Sequence, residues 1–130
     1  ASGRRTGTTV EGVNEVDHAE MVALRRMVLA GRDVAPAEIV LFSTLEPCLM
    51  CYGAVILSGI RTIVYAFEDV MGGGTGCDLT QLSPLYRNAD MSIIPHVRRA
   101  DSVQLLKAFF ANPKNVYWKD SLLARYTLKQ

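Results

Sequence analysis

Hydrophobic positions fall first at helical spacing along this chain and then in short solid runs. Residues 18–30 set Ala19, Val22, Ala23, Met27 and Leu29 or Ala30 near one stripe and leave Arg25, Arg26 and Arg32 for water. This predicts a helix, begun by Asp17 as N-cap and closed by Gly31. Ile39-Val40-Leu41-Phe42 is β-branched and apolar without alternation, the mark of a strand over 38–45 buried on both faces. Pro47 suits the first turn of a helix running to Leu57, apolar almost all round and therefore central, and Ser58-Gly59 ends it. Further strands are predicted over 61–67 and 91–95. Between them, the glycine-rich residues 71–76 read as a mobile loop and 79–86 as a short helical stretch. Asp101 is placed to cap a helix through Phe110 that turns Leu105, Leu106, Phe109 and Phe110 inward. Pro113 follows its end, and 120–128 forms a last short helix. Residues 1–14 read as the end of a strand followed by a loop. Strands alternating with helices predict an α/β sandwich with a largely parallel sheet.

Composition narrows the class. At 130 residues, the chain is a single domain over 1–130, long enough to bury a core. Its 49% hydrophobic and 21% charged residues are ordinary for a globular protein. No apolar run reaches membrane-spanning length and no leader-like segment opens the chain, so no membrane partner is expected. Three cysteines, two of them in CxxC spacing, favour metal or thiol chemistry in a reducing compartment over a disulfide framework, which places the protein in the cytoplasm. A net charge of +1 neither advertises nor excludes a nucleic-acid partner.

The candidate chemistry lies in two segments thirty positions apart, His18-Ala19-Glu20 and Pro47-Cys48-Leu49-Met50-Cys51. His18, Cys48 and Cys51 supply three of zinc's four tetrahedral positions, one ion per chain, and leave the fourth open as in catalytic sites. Each half has a plainer reading. Asp17 and Glu20 are spaced as a capping box. A strand followed by CxxC at a helix start is also the layout of a thioredoxin-like redox site, although that site needs no HxE and here Pro47 precedes the first cysteine. A closed structural zinc site would recruit Cys77 or His96 as a fourth ligand. The loop over 72–76 lacks the lysine–serine tail of a phosphate cradle. Together and in order, the two halves form the H-x-E…P-C-x-x-C pattern of zinc-dependent base deaminases.

In that arrangement, the ligands sit in the first turns of two helices, whose positive ends favour thiolate. Zinc brings the pKa of water toward neutrality, and Glu20 is the proton carrier. Glu46, held extended by the following proline, offers its carbonyl to the leaving amine.

Asp17-His18-Ala19-Glu20, Thr44 through Ala54 and Val64-Tyr65-Ala66-Phe67-Glu68-Asp69 resemble the cytidine deaminase superfamily, most of all its branch of bacterial tRNA adenosine deaminases and guanine deaminases. Leu105 through Phe110 is similar to that branch's penultimate helix, and the likeness covers residues 10 to 110. The resemblance implies zinc on His18, Cys48 and Cys51, with Glu20 shuttling protons. It also implies a three-layer αβα sandwich around a five-stranded sheet, in a homodimer with pockets near the subunit interface. A helix and a first strand would precede the matched residues, so this chain is expected to lack them. Where the family tends to place an asparagine, about eleven residues before the histidine, this chain has Gly7. Guanine deaminases cover their site with a C-terminal segment, and residues 113–130 form an extension long enough to do so. Asp69 and the adjacent aromatics Tyr117 and Trp118 join Glu46 as candidate substrate contacts.

The leading expectation is a zinc-dependent hydrolytic deaminase of a free nucleobase or nucleoside. Deamination of adenosine in tRNA is the alternative, which needs a phosphate track where the sequence has only scattered Arg4-Arg5, Arg25-Arg26 and Arg98-Arg99. A non-catalytic, zinc-stabilised scaffold subunit is the reading from another class, and an intact Glu20 speaks against it.

Overall fold

The structure, a computed structural model, describes residues 1–2, 14–31 and 33–130. The strand end and loop expected before Asn14, Gly7 among them, and the surface role expected of Arg32 fall outside the described residues. In chain order the elements are α1 (Ala19–Leu29), β1 (Val40–Leu45), α2 (Leu49–Leu57), β2 (Thr62–Phe67), α3 (Pro84–Arg87), β3 (Ser92–Ile94), α4 (Arg99–Ala111) and α5 (Leu122–Leu128). Single 3-10 turns lie at Pro36–Glu38 and Leu79–Gln81. The strands form one parallel sheet in the order β1-β2-β3, and each crossover contains a helix, as parallel pairing requires. The α/β class follows from the alternation of strand and helix signals. Among the described residues the sheet has three strands; the family resemblance implied five, of which this chain was expected to lack the first.

One face of the sheet makes the main core. Leu41, Ile63 and Ile93 stand in register across it. They pack with Leu24 of α1, Tyr52, Val55 and Ile56 of α2, Ile60 and Tyr65. Two glycines in the left-handed region, Gly31 at φ 76° and Gly59 at φ 79°, end α1 and α2, a backbone state that costs other residues a steric penalty.

Burial departs from the pattern-based reading at three places. β1 is not buried on both faces: its residues alternate, and Phe42 is 73% exposed. Among the described residues β1 pairs only with β2, at one end of the sheet order, and the helices of the main core cover only its Leu41 face. β2, the middle strand, is the one buried from Ile63 to Phe67. An apolar run marks surface that can be buried, not surface that is covered. Likewise α2 buries Cys51, Tyr52, Val55 and Ile56 while Leu49 and Leu57 remain in water. α4 turns Ser102, Val103 and Phe110 inward and leaves Leu105 66% exposed and Phe109 partly so. Its start sets this phase. Arg98, at φ 58°, precedes the first helical residue, and Asp101 lies in the first turn, bound to Arg98 at 2.7 Å, instead of capping.

A second cluster joins Phe67 to Val103 and Phe110 of α4 and to Leu123 and Ala124 of α5. The expected C-terminal extension thus carries side chains that close a core. A polar clasp holds it. Arg99 Nε donates to Glu68 at 2.8 Å, Tyr126 OH donates to the same carboxylate at 2.6 Å, and the Arg99 guanidinium lies 5.1 Å from the Phe67 ring centre. Tyr126 stacks on Phe67, and Ser102 Oγ donates to the Thr44 carbonyl at 2.5 Å.

The Arg99 guanidinium first, then the Tyr126 hydroxyl, hold the Glu68 carboxyl at about 2, well below the usual carboxylate range. The folded value lies below the unfolded one. The clasp therefore contributes its full stability above the ordinary glutamate range and loses it as pH falls through about 2. Glu68→Gln is expected to lower unfolding free energy by about 1–2 kcal/mol at pH 7, the low end of charged hydrogen bonds because Arg99 is partly in water. The gap to wild type should close as denaturant titrations approach pH 2. No helix among the described residues is long and apolar enough to cross a membrane.

Candidate metal centre and active site

The two motif halves meet at the N-termini of neighbouring helices. His18 is the N-cap of α1, Cys48 the N-cap of α2, and Cys51 lies in the first turn of α2. His18 Nδ1 stands 3.4 Å from Cys48 Sγ and 3.5 Å from Cys51 Sγ, and all three ligand atoms lie within 4.8 Å of one another. A tetrahedral zinc with ordinary bond lengths separates nitrogen and sulfur ligands by about 3.6 Å. The residues therefore fit the ion without rearrangement. Cys77 and His96 do not join the group. His96 instead approaches Glu68 at 3.4 Å, with its ring edge-on to Tyr65.

Glu20 is not a capping residue. Its carboxylate faces the centre, with Oε2 3.7 Å from Cys51 Sγ and Oε1 accepting a 3.3 Å hydrogen bond from Ser43 Oγ. Asp17 does not cap either: it accepts from Asn14 at 2.7 Å and pairs with Arg25. The plain reading of that spacing fails because both side chains have better partners than the helix N–H groups. Ser43 was missed by the sequence reading. It shares a sheet face with Leu41 and Leu45, so a polar residue in that alternation was the available signal. Beside Glu20 opens a cavity of about 300 Å³, lined among others by Ala1, Ser2, Ala19, Ala23, Leu41 and Ser43 and by none of the three candidate ligands.

The two thiols are shifted in opposite directions. Hydrogen bonding from Cys51 draws the Cys48 thiol down to about 5. The same contact with Cys48, then burial, then the Glu20 carboxylate push the Cys51 thiol up. At pH 7.5 the pair thus holds one proton, which an incoming cation must displace. Zinc uptake at that pH is expected to release about one proton from the pair, measurable by calorimetry in buffers of different ionisation enthalpy. Zinc affinity should rise close to tenfold per pH unit while Cys51 stays protonated.

The remaining candidates are spread around this centre. Glu46 follows β1, and its carboxylate accepts from Asp69 N and Thr75 N, both at 3.1 Å. Asp69 is buried, and its Oδ1 accepts from Met71 N and Gly72 N. The glycine-rich loop, expected to be mobile, is tied down by these bonds and by a bridge from Gly73 to Cys48. Tyr117 and Trp118 stack on each other, and the Tyr117 hydroxyl donates to the Glu15 carboxylate at 3.2 Å, just before the His18 segment. Trp118 takes φ 51°, a backbone state seldom adopted by a bulky residue.

A parallel α/β fold thus brings one histidine and two cysteines to two helix starts as a group able to hold a metal ion, with a carboxylate beside it. The model of the cytidine and deoxycytidylate deaminase zinc-binding region matches residues 3–67, and the chain belongs to that family. It is 33% identical over 106 residues to the tRNA-specific adenosine deaminase of Buchnera aphidicola, covering 75% of this chain and 64% of that protein. It is 32% identical over 95 residues to that of Bacillus subtilis, covering 73% and 59%. The chain thus spans about three fifths of the length of these relatives. Among solved structures it resembles a guanine deaminase from Nitrosomonas europaea, with TM-score 0.55 and 23% identity over 80% of this chain and 62% of that one. A structure from work on A-to-I editing by tRNA:A34 deaminases gives TM-score 0.53 and 22% identity over 71% and 67%. These likenesses carry the fold.

Proposed function

We propose that this chain is a zinc-dependent hydrolytic deaminase that replaces the amino group of a free nucleobase or nucleoside by a carbonyl and releases ammonia. The observation that carries the reading is the Glu20 carboxylate beside the His18, Cys48 and Cys51 cluster, with no capping duty to explain it. Zinc held by those three side chains would supply an activated water at neutral pH. Glu20 would carry one proton from water to a ring nitrogen as the oxygen adds to the amino-bearing carbon, and would then carry the proton of the new hydroxyl to the amine as the C–N bond breaks and the carbonyl forms. Ser43 keeps Glu20 aimed at the centre through Oε1. The reading places the enzyme in the cytoplasm as a homodimer, with Asp69 and the carbonyl of Glu46 near the substrate.

A second reading, adenosine deamination in tRNA, is favoured by the relatives at 33% and 32% identity that carry that name. A screen for ammonia release from cytosine, adenine, guanine, their nucleosides and a tRNA anticodon stem separates the two. Turnover on small substrates with none on RNA supports the first. Salt-dependent turnover on RNA alone supports the second, and no turnover by the zinc-loaded chain returns the scaffold reading.

Tyr117 and Trp118 do not line the cavity beside Glu20 and enter this proposal as aromatic contacts to a bound base. Stacking on a base is worth about 1–3 kcal/mol, so Trp118→Ala is expected to raise KM about tenfold with little change in kcat. Deleting the whole tail is the wrong test, because Leu123 and Ala124 are core residues. An unchanged KM in the point variant would leave the two rings to packing.

A further inference from the structure

We infer that Glu46 is a positioning residue of the metal centre: its carboxylate fastens the loop over residues 69–76 against the backbone that carries Cys48. The inference deepens the metal site that the proposed deaminase rests on, and it does not depend on which base is the substrate. Three donors converge on this one carboxylate. Oε2 accepts from the Asp69 N–H at 3.1 Å, while Oε1 accepts from the Thr75 N–H at 3.1 Å and from the Thr75 hydroxyl at 2.5 Å. Asp69 completes the turn, its Oδ1 accepting from Met71 and Gly72 at 2.9 and 3.0 Å and its carbonyl accepting from Gly73 at 2.9 Å. The loop so formed reaches the ligand segment directly. Gly74 N–H donates to the Pro47 carbonyl at 2.9 Å, and Gly73 bridges antiparallel to Cys48.

The fit leaves no room for side chains. A Cβ on Gly73 would fall on the Glu46 carboxylate and come 2.7 Å from the Asp69 carbonyl. A Cβ on Gly74 would come 2.5 Å from the Leu49 nitrogen. Neither glycine has a positive φ, so closeness of approach, not conformational freedom, requires them. Glu46 itself is tied to the sheet through its N–H, which donates to the Phe67 carbonyl at 2.8 Å. The strand end, the loop and the first ligand cysteine therefore form one hydrogen-bonded unit with the Glu46 charge at its centre. Charge-assisted bonds of this kind are the strong ones, and outer partners that orient metal ligands are commonly worth 10–100-fold in metal affinity.

Cobalt(II) titration of the metal-free chain and of its Glu46→Gln, Thr75→Ala and Gly74→Ala variants tests this. The thiolate–cobalt charge-transfer band, the visible d–d envelope and the thermal midpoint of each metal-free form are recorded together. Glu46→Gln turns an amide toward donors that need an acceptor. It is expected to weaken cobalt binding about 10–100-fold and to alter the d–d envelope. Gly74→Ala should do the same with Glu46 intact. Thr75→Ala, which removes one donor and keeps the charge, should cost less than tenfold. A Glu46→Gln chain that melts earlier but binds cobalt with wild-type affinity and spectrum makes Glu46 a packing residue and overturns the inference. Should that variant fail to fold, wild-type affinity in both Thr75→Ala and Gly74→Ala overturns it equally. No substrate enters the measurement, so failure of the deaminase reading and failure of this one are separate results.

Discussion

Glu20→Gln is expected to reduce turnover by at least about 10²–10⁴-fold, the usual worth of one general acid–base group, with one zinc still bound per chain. The loss should exceed the lower bound because a single carboxylate serves several proton transfers in the proposed reaction. Gln preserves the side chain's shape and its acceptor toward Ser43 Oγ, which stands 3.3 Å from Glu20 Oε1, so fold and cavity should be unchanged. The carboxylate lies 3.7 Å from Cys51 Sγ and raises that thiol's pKa. Zinc affinity in the variant should therefore hold or rise slightly. Metal content by elemental analysis, melting temperature and ammonia release on the same preparation check the three statements. A stable, zinc-loaded variant with wild-type turnover would refute the proton-carrier role.

Cys51→Ala should have the second largest effect. Cys51 is fully buried in the first turn of α2, within 3.5 Å of His18 Nδ1, and supplies one of three protein ligands. If zinc binding is worth about 10–16 kcal/mol and one thiolate accounts for roughly a third of it, affinity falls by about 10²–10⁴-fold and activity falls with the metal. Cys77→Ser is the matched control: Cys77 lies outside the ligand group, and its replacement should leave stoichiometry at one and activity intact. Equal zinc loss in the two variants would mean that the centre is built differently.

The groups that meet at the candidate site were legible because their spacing is local. His18 and Glu20 must share the start of one helix and Cys48 and Cys51 the start of another, and the proline and helix periodicity around them declared both starts. The expected capping role of Asp17 failed for a reason that local spacing does not contain: its partners are Asn14 and Arg25, and Glu20 turns to a strand instead. The bonds from Ser43 to Glu20 and from Thr75 to Glu46 join residues 23 and 29 positions apart. No periodicity announces such pairs.

What the sequence by itself determined is the class of fold, the order of its helices and strands, and the identity of the metal ligands, since each is set by the chemistry of a few neighbouring side chains. What the tertiary structure decided is coverage and partnership. Both faces of β1 look equally apolar in the sequence, yet Phe42 stands in water because only the Leu41 face is packed by helices. The glycine-rich loop looked free, yet a carboxylate from the end of another strand gathers it. Burial and hydrogen bonding depend on which surfaces meet in three dimensions, and a residue's own type and spacing state only what it can offer.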